Sequence, residues 1–302
     1  MHLRVLDLDD SLPGANAFAG LASWDSVDTV PLRDLAPALR LWARSATMQR
    51  AADRLRQHGS TLTLIGSGDF HHLAVPLMAQ ARETVTVVHF DNHPDWVRWA
   101  PRWHCGSWVN QALRLPQVAR VVTIGPCSDD LVRPGFKGGN LAALGAQRIV
   151  LFPWRHAPSR VFHRIADGPG HRYDHGSLAW RNLADCSPDA RLKMLLDAIE
   201  TPAVWLTIDK DVLSEADALT NWDQGEMPAS ALLELVAGIG ARKRIVGADI
   251  CGEYSVPILG NFAKRIESRL ERPQRIAGAA ALARNIDIDR RLLQTIAKVA
   301  PC

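Results

Sequence analysis

Cysteine is sparse and scattered in this 302-residue chain: five residues, at 105, 127, 186, 251 and 302, with no Cys-x-x-Cys pair among them. An odd, widely spaced set argues against a disulfide framework and against a structural zinc site, and makes a reducing cytoplasm the expected compartment. Long apolar runs are missing too. No stretch approaches the roughly 18 residues that span a bilayer. The start, MHLRVLDLDD, turns acidic without an apolar h-region, so neither a membrane span nor a signal peptide is expected. Neither sign of charge dominates: 35 Lys+Arg stand against 32 Asp+Glu, a net charge of +3. That balance argues against a nucleic-acid or membrane surface. Arg242-Lys243-Arg244, the densest basic run, reads as a solvated helix end. Linkers, internal repeats and low-complexity stretches are absent, so one domain over 1–302 is the simpler organisation.

What is present is a core. Hydrophobic residues make up 47% of the chain, enough for a substantial interior. Near-continuous apolar, β-branched runs recur at 61–65, 85–90, 120–124, 147–152, 203–208 and 244–250. Such runs predict strands buried on both faces of a parallel sheet. Helical patterns lie between and after them, at 37–57, 73–82, 107–115, 190–200, 229–241 and 289–299. Strand–helix alternation of this kind predicts a three-layer α-β-α fold with a central, mostly parallel sheet. The stretch 126–188, rich in Gly, Pro, His and Arg, reads as an irregular insertion in the same domain.

Polar residues collect where these strands end, which is where open α/β sheets bind ligands. Gly66-Ser67-Gly68-Asp69-Phe70-His71-His72 follows the first run, Asp91-Asn92-His93-Pro94-Asp95 the second, Asp209-Lys210-Asp211 the fifth, and 249–254 lies at the end of the sixth. Asp91, His93 and Asp95 alternate, so an extended backbone points all three the same way. Any one pair has an ordinary reading as a helix cap or turn acceptor. Together they place two imidazoles and four carboxylates at one crevice, too many for one tetrahedral zinc and suited to a pair of hard divalent ions. Without cations such a cluster would repel itself. Ten tryptophans add bulk, and Trp96, Trp99, Trp103 and Trp108 fall within thirteen residues just after the acidic run. They read as packing groups or as an apolar wall. Cys105 and Cys251 flank the site and read as packing residues.

Gly68-Asp69-Phe70-His71, Asp91-Asn92-His93-Pro94-Asp95 and Thr207-Ile208-Asp209-Lys210-Asp211, in that order, resemble the three metal-binding motifs of the arginase/agmatinase (ureohydrolase) superfamily, over roughly residues 60–255. The resemblance implies two Mn²⁺ ions per chain. His71, Asp91, Asp95 and Asp209 would hold one, and Asp91, His93, Asp209 and Asp211 the other. It implies hydrolysis of a C–N bond in a guanidino, amidino or amide compound by a metal-bridging hydroxide, oriented with the help of Asp211. His104 would shuttle protons and Glu253 would pair with a guanidinium. Trp96 and Trp99 would offer cation–π faces to the substrate. The family's habit implies a homo-oligomer, a trimer or hexamer, acting on a small molecule. Phe70 inserts one residue before His71, so His71 or His72 is the ligand; His71 is preferred because His72-Leu73-Ala74 then aligns with the family's Ser-Leu-Ala. Lys210 sits between two ligands, and the loops 96–103 and 212–227 depart from the family, so arginine itself is not the expected substrate. A single-zinc deacetylase on the same fold and a non-catalytic, metal-stabilised member are the alternatives.

Overall fold

The structure is a computed structural model that describes residues 1–56, 61–271 and 278–300. Gln57, the last residue of the first expected helix, and Cys302 lie outside the described residues. Eight strands form one sheet: β1 (His2–Asp7), β2 (Val27–Pro31), β3 (Thr61–Gly66), β4 (Val85–Phe90), β5 (Val118–Ile124), β6 (Ile149–Phe152), β7 (Ala203–Asp209) and β8 (Arg244–Cys251). Their order is β2-β1-β3-β8-β7-β4-β5-β6, with every pairing parallel. Every residue of β3, β4 and β7 is buried, as the unbroken apolar runs predict.

Each face of the sheet carries its own hydrophobic cluster. Leu62, Val88 and Leu206 pack on one side with helices α4 (Pro188–Ala198), α5 (Ala229–Gly240) and α7 (Ala279–Val299). Val87, Val121 and Trp205 pack on the other with α1 (Ser45–Arg54), α2 (Ala74–Met78) and α3 (Trp108–Ala112). Two clusters across one sheet make the three layers. Side chains alternate along a strand, so His89, Thr123 and Thr207 share the face of Val87, Val121 and Trp205. Polar groups on that face become the footing of the site.

The expected 37–57 helix is broken. A short helical turn, Ala36–Leu39, is followed by Leu41 in a left-handed conformation (φ 65°) and a two-residue strand, Trp42–Ala43, before α1 begins. Trp42–Ala43 pairs antiparallel with Trp103–His104, which fixes the tryptophan-rich loop beside the sheet's carboxyl end. Within 126–188 the chain contributes β6 and a separate three-stranded antiparallel sheet. Strands β1 and β2, the short helix Leu141–Gly145 and α6 (Phe262–Glu271) are new relative to the sequence reading, and the last helix begins at Ala279 rather than at Asp289. Among the described residues no helix is long and apolar enough to cross a membrane.

Candidate metal centre

At the end of β3, Gly66 takes a left-handed φ of 101°, and the chain turns into a 3₁₀ segment, Gly68–Leu73, capped by Ser67 accepting from the Asp69 amide. This turn buries His71 under the sheet's carboxyl edge. His71 Nδ1 lies 3.2 Å from Asp91 Oδ2, 3.3 Å from Asp95 Oδ2 and 3.6 Å from Asp209 Oδ2. Three of the separate strand ends thus meet at one nitrogen.

The other side of the ring settles the tautomer. Thr207 donates its hydroxyl to Asp249 Oδ1 at 2.6 Å, so its oxygen accepts from His71 Nε2–H at 2.8 Å. Asp249 is held in turn by Trp205 Nε1 at 2.7 Å. With one proton on Nε2, His71 turns its buried Nδ1 toward these carboxylates, and among the described residues that atom has no hydrogen-bond partner. Burial opposes its protonation, but Cys251, Asp91 and Asp95 raise the His71 pKa well above the ordinary imidazole value. A carboxylate–hydroxyl–imidazole chain of this kind orients metal-ligating histidines. Without a metal the carboxylates favour a proton on that nitrogen. A divalent ion displacing it would meet one imidazole and three carboxylates converging from three strand ends, so the donor set fits a metal.

Asp91 accepts from the His93 amide at 2.6 Å through Oδ1, and its Oδ2 lies 2.8 Å from His89 Nε2. His89 Nδ1 is 3.1 Å from Thr123 Oγ1. His93 Nδ1 stands 2.9 Å from Asp211 Oδ2 and 3.5 Å from Asp91 Oδ1. Asp211 accepts from the Asn92 amide, and Asp209 from the Asp211 amide. Asp95, left-handed at φ 48°, turns back to receive Trp108 Nε1 at 2.6 Å. The potential ligand atoms fall into three overlapping groups: His71, His89, Asp91 and Asp95; Asp91, His93 and Asp211; His71, Asp209 and Cys251. All six sequence-derived ligands come together. His72 does not join them. It is fully buried, and burial lowers its pKa to about 3.

Burial and mutual repulsion load the cluster electrostatically. Burial and then the Asp91 charge push Asp95 up to about 6; burial, Asp209 and Asp91 drive Asp211 well above its usual range. Burial also lifts Asp249 to about 6. Asp91 moves the other way, because His89, His71 and His93 outweigh its burial. Raised carboxyls hold protons in the folded state that they lose when unfolded, so their stabilisation is present at low pH and lost as pH rises through about 6. Asp95 and Asp249 start from 3.8, a shift worth up to ~3 kcal/mol each. Metal-free protein is therefore expected to melt higher at pH 5 than at pH 7.5, and added Mn²⁺ to reverse the order. Thermal melts of EDTA-treated protein at both pH values check this; a metal-free melting temperature that rises with pH contradicts it.

The cluster opens into a cavity of about 750 Å³ whose wall includes His93, Trp99, His104, Asp130, Trp222 and Glu267. His104 Nδ1 accepts from the Gly106 amide at 2.8 Å, which leaves the proton on Nε2, 2.6 Å from Glu267 Oε1. Trp99, 66% exposed, stands at the cavity. Two expected substrate residues are elsewhere, and both expectations are corrected. Trp96 is 1% exposed in the core, packed against Gly139. Glu253 is buried and taken up by Lys210 and by Asn285 Nδ2 at 3.1 Å, so it has no face toward a guanidinium. Sequence reasoning passed over His89, Thr207 and Glu267, placed Asp249 at a strand end without a role, and read Cys251 as a packing residue. Strand parity placed the first two on the site's face, and Glu267 sits on the unexpected α6.

No family model matches the chain. A curated relative, an uncharacterised protein of Thermotoga maritima, is 29% identical over 192 residues, which cover 64% of this chain and 58% of that protein. Solved structures align along nearly the whole chain. Arginase of Bacillus subtilis superposes with a TM-score of 0.61 at 13% identity, covering 98% of this chain and 97% of that one. Proclavaminate amidino hydrolase of Streptomyces clavuligerus gives 0.60 at 14% identity, covering 99% and 92%. Formimidoylglutamase of Bacillus subtilis gives 0.58 at 14% identity, covering 100% and 88%. The chain therefore shares the three-layer fold of these arginase, amidino hydrolase and formimidoylglutamase structures.

Proposed function

We propose that this chain is a two-metal hydrolase that cleaves a C–N bond in a guanidino, amidino or amide compound. The observation that carries the reading is the convergence of Asp91, Asp95 and Asp209 on His71 Nδ1. His71, Asp91, Asp95 and Asp209 would hold one divalent ion; Asp91, His93, Asp209 and Asp211 the other, with Mn²⁺ the expected metal. Bound there, such ions supply Lewis acidity and lower the pKa of a shared water toward neutrality. The protein residues do the rest. Thr207 and Asp249 hold His71 in its ligating tautomer, and Asn92 and Asp209 fix the direction of Asp211. The His104–Glu267 pair shares a proton on the cavity wall, positioned to pass it to a leaving amine.

The substrate's charge follows from the wall. Asp129, Asp130, Asp223 and Glu267 face the cavity against a single lysine, Lys137, itself 2.9 Å from Asp129. An acidic mouth attracts a cationic guanidine or amidine and repels an α-carboxylate, which supports a substrate other than arginine. The test is metal analysis coupled to a screen of guanidino, amidino and amide compounds with amine-release detection. The expected result is two ions per chain and turnover confined to cationic, carboxylate-free substrates. One ion per chain, or no release from any compound, would sink the reading.

A further inference from the structure

Cys251 is the last residue of β8 and is 1% exposed. Across the sheet it pairs in register with Asp209 on one side and Gly66 on the other, and the β3 pairing shifts between Ile250 and Cys251. The next residue, Gly252, is left-handed (φ 93°), and a Cβ there would collide with Asp209 Oδ1 and the Lys210 amide. Only glycine lets the end of β8 come this close to the ligand loop. The result is a thiol directed into the acidic cluster. Cys251 Sγ lies 3.2 Å from Asp209 Oδ2, the same oxygen that stands 3.6 Å from His71 Nδ1. The three donor atoms lie within 4.8 Å of one another. Ligands of one tetrahedral ion, at bond lengths of 2.0–2.3 Å, are roughly 3.5 Å apart. The spacing suits a shared ion after modest contraction.

A thiol in this place has a second explanation, a weak hydrogen bond to Asp209 that serine would make better. Two observations favour a ligand. His71 Nδ1, buried and without a partner, points at the same spot, and the glycine-built approach of β8 brings sulfur rather than a hydroxyl to it. We propose that Cys251 binds the ion on the His71 side as a thiolate, replacing the Mn²⁺ expected at that position with a borderline divalent cation such as Zn²⁺ or Co²⁺, while Mn²⁺ remains the expected ion on the His93 side. This rests on the two-metal reading above. Thiolate ligands favour softer ions, whereas carboxylates suit hard ones. The His93 side, built from Asp91, His93 and Asp211 without sulfur, remains a harder site. Binding is proton-balanced: the S–H bond breaks, the metal–sulfur bond forms, and one proton per ion goes to solvent. No electron changes hands.

Cobalt makes the sulfur visible. Metal-free protein loaded with Co²⁺ is expected to show both visible ligand-field bands and a near-ultraviolet sulfur-to-cobalt charge-transfer band. Cys251→Ser should abolish the charge-transfer band and keep the ligand-field bands; Cys105→Ser, at the cavity wall, should keep both. In competition dialysis, Cys251→Ser should lower the Zn²⁺-to-Mn²⁺ preference of the chain at least about tenfold, the lower end of what losing an outer-shell partner alone does. X-ray absorption of the zinc-loaded wild type needs no variant and should find a sulfur scatterer at about 2.3 Å. Cobalt bound with ligand-field bands but no charge-transfer band, or a zinc shell without sulfur, overturns the thiolate and leaves the two-metal reading standing. Failure to bind cobalt, zinc or manganese overturns both.

Discussion

Asp91→Asn is expected to strip the chain of both ions and to lower turnover by far more than 100-fold. Asp91 belongs to two of the three donor groups, with His71, His89 and Asp95 on one side and His93 and Asp211 on the other. Asparagine keeps the shape and can still accept from the His93 amide, so the fold should survive. What it removes is one of the two negative charges, Asp91 and Asp209, that both positions share. Neighbouring residues calibrate the size. His89 is tied through both ring nitrogens to Asp91 and Thr123, and Thr207 is bonded to His71; losing such a partner of a ligand costs roughly 10–100-fold in metal affinity or activity. His89→Ala and Thr207→Val should therefore fall in that range, and a shared ligand well beyond it. Plasma emission analysis of the dialysed proteins gives the stoichiometry directly. If Asp91→Asn retains two ions, or loses less affinity than Thr207→Val, Asp91 is not a bridge and the two-metal site is wrongly drawn.

How far the sequence reached depended on whether direction, as well as identity, was encoded locally. The ligand motifs were legible because each follows a strand whose unbroken apolar run declares it buried. The extended backbone expected at Asp91–Asp95 is not kept, because the chain bends after Phe90 and Asp95 turns back at φ 48°, sending His93 and Asp95 to different donor groups. His89 carried no such signal: within VTVVHF it passes for a strand residue, and only its parity with Val87 shows which face it takes. The β1–β2 edge was missed for the complementary reason. VDTVP is the edge strand and stays partly exposed, and HLRVLD beside it alternates buried with half-buried residues, so neither shows an unbroken apolar run. Glu253 and Cys251 exchanged roles between sequence and structure. The register shift at Ile250/Cys251 and the left-handed Gly252 send the thiol into the cluster and the carboxylate away from it. Backbone irregularities of that kind leave little trace in residue order. Trp96, Trp99 and Trp103 likewise share a loop but not an environment.

The second large effect is on stability, and it starts from Lys210. This side chain, between ligands Asp209 and Asp211, is fully buried and turns away from them, toward Glu253 and toward Asp289 Oδ1 at 2.7 Å. Asp289 lies on α7, one turn beyond Asn285, which bonds Glu253 and both backbone groups of Leu219. The C-terminal helix thus clasps the ligand loop through one cation and two carboxyls. Burial and the nearby Glu253 raise the Asp289 pKa well above its usual range, while Asp289 and Glu253 keep Lys210 charged despite burial. Lys210→Met removes the cation and leaves two facing carboxyls in the interior. Breaking a buried ion pair from one side costs about 3–5 kcal/mol, a large share of a typical 5–15 kcal/mol. Replacing the whole cluster with apolar or neutral groups is often nearly neutral. Lys210→Met should therefore be strongly destabilised in urea unfolding, and Lys210→Met/Glu253→Gln/Asp289→Leu should recover most of the loss. The two variants separate charge from packing. If the triple variant is no more stable than the single one, the cation's role is steric, and the clasp is held by the helix's apolar face, Leu292, Leu293 and Ile296, rather than by charge.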